Sequence, residues 1–155
     1  MFSCHALHFV PGFKAADHTG GIDSTSINMG KVERAILQIQ FGDMSVASPE
    51  IKVYSGATSG TKTTALTFRY LLSPQAVPTA GSDVWASAFS TSADLTITFD
   101  TDDDKLLLIE VDSAEMTEGE PWLTVNVDSD ATIQMAAAVW VCQSRYDHTV
   151  SVLAA

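Results

Sequence analysis

Positive charge is scarce in this chain. Its 155 residues include eight Lys and Arg against nineteen Asp and Glu, for a formal net charge of -11. Nucleic-acid binding depends on cationic groups that displace counterions from phosphates, and an anionic membrane surface repels a protein of this charge. The composition therefore argues against nucleic acids and membranes as partners, and we expect the acidity mainly to keep the protein soluble.

Long apolar runs and cysteines are also few. No stretch approaches the roughly 20 apolar residues that a membrane helix needs. The first residues, MFSCHALHFVPG, have neither a basic region nor a long apolar core, so we expect no secretory signal. The two cysteines, Cys4 and Cys142, lie in strand-like segments. Free buried thiols are favoured in a protein without signs of secretion, although the two could pair if the terminal strands are neighbours.

Groups for catalysis or metal binding are not gathered anywhere in the sequence. The four histidines, His5, His8, His18 and His148, occur only near the two ends. No GxSxG elbow occurs, and Cys4 and His5, adjacent on a strand, would point to opposite faces. Nothing in the histidine spacing requires a zinc site. We therefore predict that the protein is not an enzyme and has no catalytic residues, cofactor or metal ligands.

Two acidic segments leave alternatives open. The stretch DTDDDK, residues 100–105, offers the oxygen ligands that Ca²⁺ prefers, but it lacks the Gly and Glu of an EF-hand loop, and we expect a solvated turn. Five acids then follow closely: Glu110, Asp112, Glu115, Glu118 and Glu120. A pair of them could serve glycoside hydrolysis, which is the least favoured functional hypothesis.

Alternation of apolar and polar residues dominates the rest of the chain. In residues 32–41, Ala35, Leu37, Ile39 and Phe41 share one face, which is the pattern of a half-buried strand. Further strands are predicted at residues 4–10, 50–56, 64–72, 84–90, 93–101, 106–112, 122–128 and 131–142. These runs, about nine in all and with almost no helical pattern, predict an all-β domain, an antiparallel β-sandwich of jelly-roll-like type.

Individual segments carry more specific expectations. The nearly continuous apolar run 106–112 predicts a central strand buried on both faces, and 93–101 predicts a regular strand with Leu95, Ile97 and Phe99 inside. After the strand predicted at 106–112, Ser113 could cap one helical turn.

A single domain is expected over residues 1–155, because there is no internal repeat and no shift in composition. Residues 11–30, rich in Gly and small polar residues, predict a long irregular loop that packs along the domain. Residues 145–155 predict a C-terminal arm, whose segment VSVLAA could add an edge strand to another subunit.

Three stretches resemble small structural proteins of tailed bacteriophages that are encoded near the major capsid protein. The stretches are HFVPGFKAADHTGGIDSTSINMG, ITFDTDDDKLLLIEVDSAEM and AAAVWVCQSRYDHTV, with a Gly-rich DHTGGIDS segment, a DDDKLLLIEVD strand and an Arg-Tyr pair near the C-terminus. The resemblance implies a head decoration or cement protein with a sandwich or jelly-roll core, often trimeric. It brings no set of functional residues with it.

The resemblance also implies a partner and a place. Such a protein is made in the host cytoplasm and binds the major capsid protein on the exterior of the virion capsid, stabilising the shell. The net charge agrees with this position, because packaged DNA inside the shell would repel an acidic protein. We expect the capsid or oligomer contacts at Phe13, His18, Ile22, Arg145, Tyr146 and Val150. Packing of these residues onto their own sandwich is the competing interpretation.

A carbohydrate-binding or host-adhesion module of a virion is the alternative function. Such modules present exposed aromatic residues, and Trp85, beside a Pro-rich loop, is the candidate platform. Trp122 and Trp140 are expected in the core.

Overall fold

The computed structural model describes residues 7–45, 48–74, 84–98, 100–128, 133–146 and 150–154. Within them the chain forms twelve strands and one short 3-10 turn, and it has no α-helix. The strands are β1 (Leu7–Asp17), β2 (Ile22–Asp23), β3 (Ile27–Asn28), β4 (Val32–Ser45), β5 (Glu50–Gly56), β6 (Thr64–Leu66), β7 (Phe68–Leu72), β8 (Ser90–Ser92), β9 (Leu95–Thr96), β10 (Leu106–Asp112), β11 (Trp122–Asp128) and β12 (Ile133–Ser144). No helix in these ranges is long and apolar enough to cross a membrane.

The strands form two antiparallel sheets around one core. The larger sheet has the order β1-β12-β4-β10-β7-β8, and the smaller has β2-β11-β5-β6, with β3 also paired to β11 and β9 to β5. The chain crosses between the sheets repeatedly, and β1 and β12, the first and last strands, are neighbours. The predicted antiparallel sandwich is confirmed, although the strands are more numerous and several are shorter than expected.

Alternation along each long strand builds the core between the sheets. Ala35, Leu37, Ile39 and Phe41 of β4 are buried together, as their spacing predicts. The facing residues of the smaller sheet are Ile51, Val53, Leu123, Val125 and Val127, and all of them are buried. Burying one such side chain fully contributes about 2 kcal/mol, so this layer stabilises the sandwich without a metal or a disulfide.

Small residues around Trp140 let β1 approach the core closely. The alanines of β12 form a strand, as predicted, and Ala138 lies 3.0 Å from the position that a Cβ on Gly12 would occupy. Trp140 is fully buried, and its indole Nε1 donates a hydrogen bond to the Thr25 carbonyl at 2.8 Å. The contact joins β12 to the segment between β2 and β3, so the indole both fills the core and satisfies its polar atom.

The single alternating run over residues 64–72 is two strands in different sheets. β6 pairs with β5 in the smaller sheet, whereas β7 pairs with β10 in the larger one, and Thr67 lies between them. Leu66 and Phe68 are both buried, because each points into the core from its own sheet. The period of two therefore continues through a change of sheet, and the prediction of one strand is wrong.

The predicted loop over residues 11–30 is wrong in its first part, because β1 continues through Pro11 to Asp17. Proline fits there because β1 is an edge strand and its register shifts between Pro11 and Phe13 and again between Phe13 and Ala16. The short strands β2 and β3 interrupt the rest of the segment. β4 is also longer than predicted, since it continues past residue 41 to Ser45.

The strands predicted at residues 84–90 and 93–101 are wrong in extent, because the strands in the structure are shorter. Residues 84–89 are not a strand, β8 begins only at Ser90, and β9 has two residues. Ile97 is buried as expected, and its N–H donates to the Pro49 carbonyl at 3.0 Å. Phe99 lies outside the described residues, so its predicted orientation stays a prediction.

The run 106–112 is a central strand, as predicted, since β10 lies between β4 and β7. Its core face is buried, but Leu106 and Leu108 on the other face are only half-buried. Complete burial of both faces is therefore wrong.

Candidate docking surfaces

The first three predicted contact residues stabilise the sandwich itself. Phe13 and His18 are each 7% exposed, and their rings meet edge to face with centroids 5.2 Å apart. The His18 ring Nε2 donates to the Lys14 carbonyl at 2.9 Å, and Ile22 packs against the core. Phe13 and His18 are buried and are not available to a partner in this conformation, whereas Ile22 is half-buried. The competing interpretation of self-packing therefore describes the first two fully and Ile22 in part.

The other three predicted residues lie together at one end of the sandwich. Arg145 donates its backbone N–H to the Lys31 carbonyl at 2.9 Å, and its guanidinium bonds the Ser113 hydroxyl. Tyr146 is 57% exposed, and Val150 is half-buried. The structure thus separates the predicted set into a buried part near β1 and an accessible part in the tail.

The described part of the tail, residues 150–154, folds back onto its own chain. Val152 is buried, and its carbonyl accepts the Asn28 N–H at 2.9 Å. The Ala154 carbonyl accepts from both Asn28 Nδ2 and Lys31 Nζ, each at 2.9 Å. These contacts hold residues 150–154 in place without strand structure, so the expectation of a projecting arm with strand character is not met in this segment.

Two adjoining cavities open beside the tail. One of about 480 Å³ is lined by Asn28, Gly30, Lys31, Tyr146 and Val150. The other, of about 390 Å³, shares Gly30 and is bordered by Arg145 and by residues 113 and 116–121 of the loop before β11. We call the two cavities together the end groove. Tyr146 and Arg145, which border it, are of the residue types enriched at protein interfaces, and Glu118 and Glu120 also line it.

One acid beside the groove is already engaged within the chain. Ser55 is fully buried, and its hydroxyl donates to Glu120 Oε2 at 2.6 Å. Thr117 Oγ1 lies 3.0 Å from the same hydroxyl. These bonds tie the loop before β11 to β5, so this wall of the end groove is held by the smaller sheet.

Two arginines and three acids form an ion-pair network on the larger sheet. Arg34 Nε lies 2.8 Å from Asp112 Oδ1, and Arg69 Nη2 bonds the other oxygen of Asp112. Arg69 also lies 3.4 Å from Glu110 Oε1 and 3.5 Å from Glu115 Oε2. The network satisfies Glu110, which is otherwise buried in the sheet.

The network sets the protonation of Asp112. Burial alone would raise the pKa of this carboxyl, but the hydrogen bonds and charges of Arg34 and Arg69 outweigh burial and hold the pKa below its usual value. A general acid of a glycoside hydrolase needs the opposite shift. Asp112, and not Ser113 as predicted, precedes the 3-10 turn, and its N–H donates to Glu115 Oε2 at 2.7 Å.

The acidic segment 100–105 is a turn, as predicted, but it is not fully solvated. Asp102 is buried and accepts the Thr98 N–H and the Lys105 ammonium, each at 2.9 Å. Burial raises the pKa of Asp103. Within the ranges that the structure covers, no three His, Cys, Asp or Glu side chains converge as metal ligands would.

The structure also describes Cys142 and the three tryptophans. Cys142 is a buried free thiol, and burial raises its pKa to about 12. Trp122 and Trp140 are buried, as predicted, and Trp85 is half-buried. The free thiol at Cys142 is the predicted state, and Cys4, His5 and His148 lie outside the described residues.

A second accessible surface was missed in the sequence. The face of the larger sheet that points away from the core carries exposed Phe9, Met135 and Val139. The available signal was Ile36, Leu108 and Val141, apolar residues at positions where alternation calls for polar ones.

Comparison with known proteins identifies no relative. No protein family, no curated protein and no solved structure matches this chain.

Proposed function

We propose that this protein is a structural virion protein, a decoration or cement protein that binds the outer surface of a phage capsid and stabilises the shell. The observation that carries the proposal is the convergence of Arg145, Tyr146 and Val150 with Lys31 around the end groove. Two of these tail residues belong to the Arg-Tyr pair of the resemblance. The groove would receive a segment of the major capsid protein.

Tyr146 has the properties of an anchor residue. Its ring is 57% exposed beside the cavity, so it offers a large apolar surface together with a hydroxyl. Tyrosine and arginine are enriched among residues that dominate binding energy at protein interfaces. Lys31 and Arg145 add cations to an otherwise acidic molecule at this point, which suits acidic or carbonyl-rich segments of a partner.

The groove is held in place before any partner arrives. Burial of Val152 and the bonds from Asn28 and Lys31 hold the tail beside the groove. Binding therefore requires little ordering of the chain, which favours affinity. On a shell, weak contacts at many identical sites reinforce one another when copies are linked.

The test uses shells assembled from the major capsid protein of the same genome without this chain. Purified protein is mixed with the shells, and bound protein is measured by co-sedimentation. Tyr146→Ala should weaken binding about tenfold or more, because it removes the exposed anchor. Phe89→Ala is the matched control, since Phe89 is an aromatic residue that is 41% exposed outside the end groove, and it should bind like the unmodified protein.

Two results would contradict the proposal. One is the absence of binding by the unmodified protein. The other is equal binding by the Tyr146→Ala and Phe89→Ala variants. Point substitution is preferable to deletion of the tail, because deletion would also remove the buried Val152 side chain.

Carbohydrate binding is the second candidate, and it has one observation in its favour. Val84 and Phe89 are exposed and Trp85 is half-buried, so residues 84–89 present an aromatic and aliphatic platform. Binding on a glycan array that disappears in Trp85→Ala and persists in Tyr146→Ala would favour this function over capsid binding.

A further inference from the structure

The outward face of the larger sheet carries rows of apolar side chains. Strand register places directly opposed residues side by side, and those on the outward face form three rows across the sheet. The first row begins with Phe9, Val141 and Ile36; the second contains Pro11, Val139, Gln38, Leu108 and Leu71; the third contains Ala137, Gln40 and Leu106. We call these residues the apolar rows. Antiparallel sheets that face water usually carry polar residues at such positions.

Polar pairs cover part of the outward side of the smaller sheet. Lys52 pairs with Glu50 at 2.8 Å, and Lys62 pairs with Asp23 at 2.8 Å. Asn126 donates to the same Asp23 carboxylate at 2.7 Å. The difference between the two faces indicates that the apolar rows are covered by a partner, because contiguous exposed apolar surface marks interaction sites.

Charge on the apolar face restricts the partner. The charged side chains in or beside the rows are Arg34, Arg69, Glu110 and Asp112, with Glu115 next to them, and their pairing leaves one formal negative charge. The whole chain carries a net charge of -11, so most of the negative charge lies elsewhere. For a second copy of the chain, which is equally acidic, this nearly neutral face is where close approach meets the least repulsion.

We propose that the apolar rows bind a second copy of this chain in a closed, two-fold dimer. In such an isologous interface the same patch serves both partners, and two pleated faces pack about 10 Å apart with interdigitating side chains. The Arg34–Asp112–Arg69 network lies at the border of the rows, where interfaces carry their polar rim.

The size of the rows suits the centre of such an interface. Five strands about 4.8 Å apart and three rows about 7 Å apart cover roughly 300 Å². A stable interface buries about 800 Å² on each partner, of which the apolar centre is a part. The end groove is a separate surface, so dimerisation through the rows does not depend on the proposed function.

The experiment measures molar mass by sedimentation equilibrium from about 1 to 500 µM protein. The mass should rise from 16.6 kDa to twice that value. Val139→Asp should weaken dimerisation about 100-fold or more, because two-fold symmetry places an unpaired charge on both sides of the apolar centre. Tyr146→Ala should dimerise like the unmodified chain.

A second variant guards against a folding defect. Gln38 is already polar and exposed among the rows, so Gln38→Arg should fold normally, as checked by circular dichroism, and still weaken the dimer through repulsion between like charges. A monomer at all concentrations, a trimer of the kind that the resemblance implies, or unchanged dimerisation in the folded Gln38→Arg variant would each overturn the proposal.

Discussion

Arg34 Nε lies 2.8 Å from Asp112 Oδ1, and the two residues stand directly opposite each other on β4 and β10. On the far side of β10, Arg69 of β7 bonds the second oxygen of the same carboxylate. One aspartate therefore connects three adjacent strands at the border of the apolar rows. Glu110 is buried beside Asp112, and Arg69 lies 3.4 Å from its carboxylate. The network therefore also pairs a second buried charge, which would destabilise the fold if it had no partner.

Asp112→Asn should lower the free energy of unfolding by about 1 kcal/mol at neutral pH, since the partners are partly exposed and their pairing is weakened by solvent. The pKa of Asp112 is lower in the folded protein than the value of about 3.9 in an unfolded chain. Its contribution is therefore complete above about pH 4 and is lost as the pH falls through the folded pKa.

Urea unfolding between about pH 2 and pH 7 checks this prediction. The Asp112→Asn variant should lose less stability on acidification than the unmodified protein. Glu118→Gln is the control, because Glu118 is an exposed acid in the neighbouring loop. Its substitution should leave the loss of stability at low pH as it is in the unmodified protein. Parallel pH profiles for the unmodified protein and Asp112→Asn would contradict the assignment.

Gly56→Ala should destabilise the protein by about 2–3 kcal/mol, because β5 ends where the following loop crosses it closely. A Cβ at Gly56 would lie 2.2 Å from Thr61 Oγ1 and 2.3 Å from the Thr61 carbonyl oxygen. Thr61 cannot easily retreat, since its hydroxyl donates to the Thr58 carbonyl at 2.6 Å.

The control is Gly60→Ala in the same loop. Gly60 has a φ of +81° but open space around it, so the substitution should cost only about 1 kcal/mol through backbone strain. Chemical unfolding of both variants measures the two losses in the free energy of unfolding. If Gly56→Ala is no more destabilising than Gly60→Ala, the close approach of Thr61 is not a constraint on stability.

Val152→Asp should detach the tail, because it places a charge where the structure has a buried apolar side chain. The expected loss is about 2 kcal/mol, and the Asn28 amide, which donates to the Val152 carbonyl, should lose protection in hydrogen exchange. Leu153→Asp is the matched control, because Leu153 is 45% exposed. Equal protection of Asn28 in the two variants would show that the tail is not held by Val152.

Much of the core could be predicted because alternation is a local property. Ala35, Leu37, Ile39 and Phe41 are buried as their spacing predicts, and so are Ile51 and Val53 of β5, because a pleated strand turns successive side chains to opposite faces. Trp140 is buried as predicted for the same reason, since it lies on the inward face of β12. Trp122 is also buried as predicted, but it lies on the face of β11 opposite Leu123, so alternation does not account for its burial.

The accessible surfaces were harder to predict, because they depend on residues far apart in the chain. Phe13 and His18 were expected at a contact, but both are buried: Phe13 lies in β1, and the ring of His18, just after β1, packs against it. The tail was expected to project, but Asn28 and Lys31, distant in sequence, hold it. The apolar rows could not be recognised in any one strand, since each strand contributes only one to three of their members.

The sequence by itself determined that this protein is made of β-strands and, along the long regular ones, which side chains point inward, because both follow from spacing within a few neighbouring residues. Only the tertiary structure decided the change of sheet at Thr67, the docking of the tail and the alignment of apolar residues across the larger sheet. The physical reason is that register and sheet order are set by pairing between distant segments, whose combined packing outweighs any local preference.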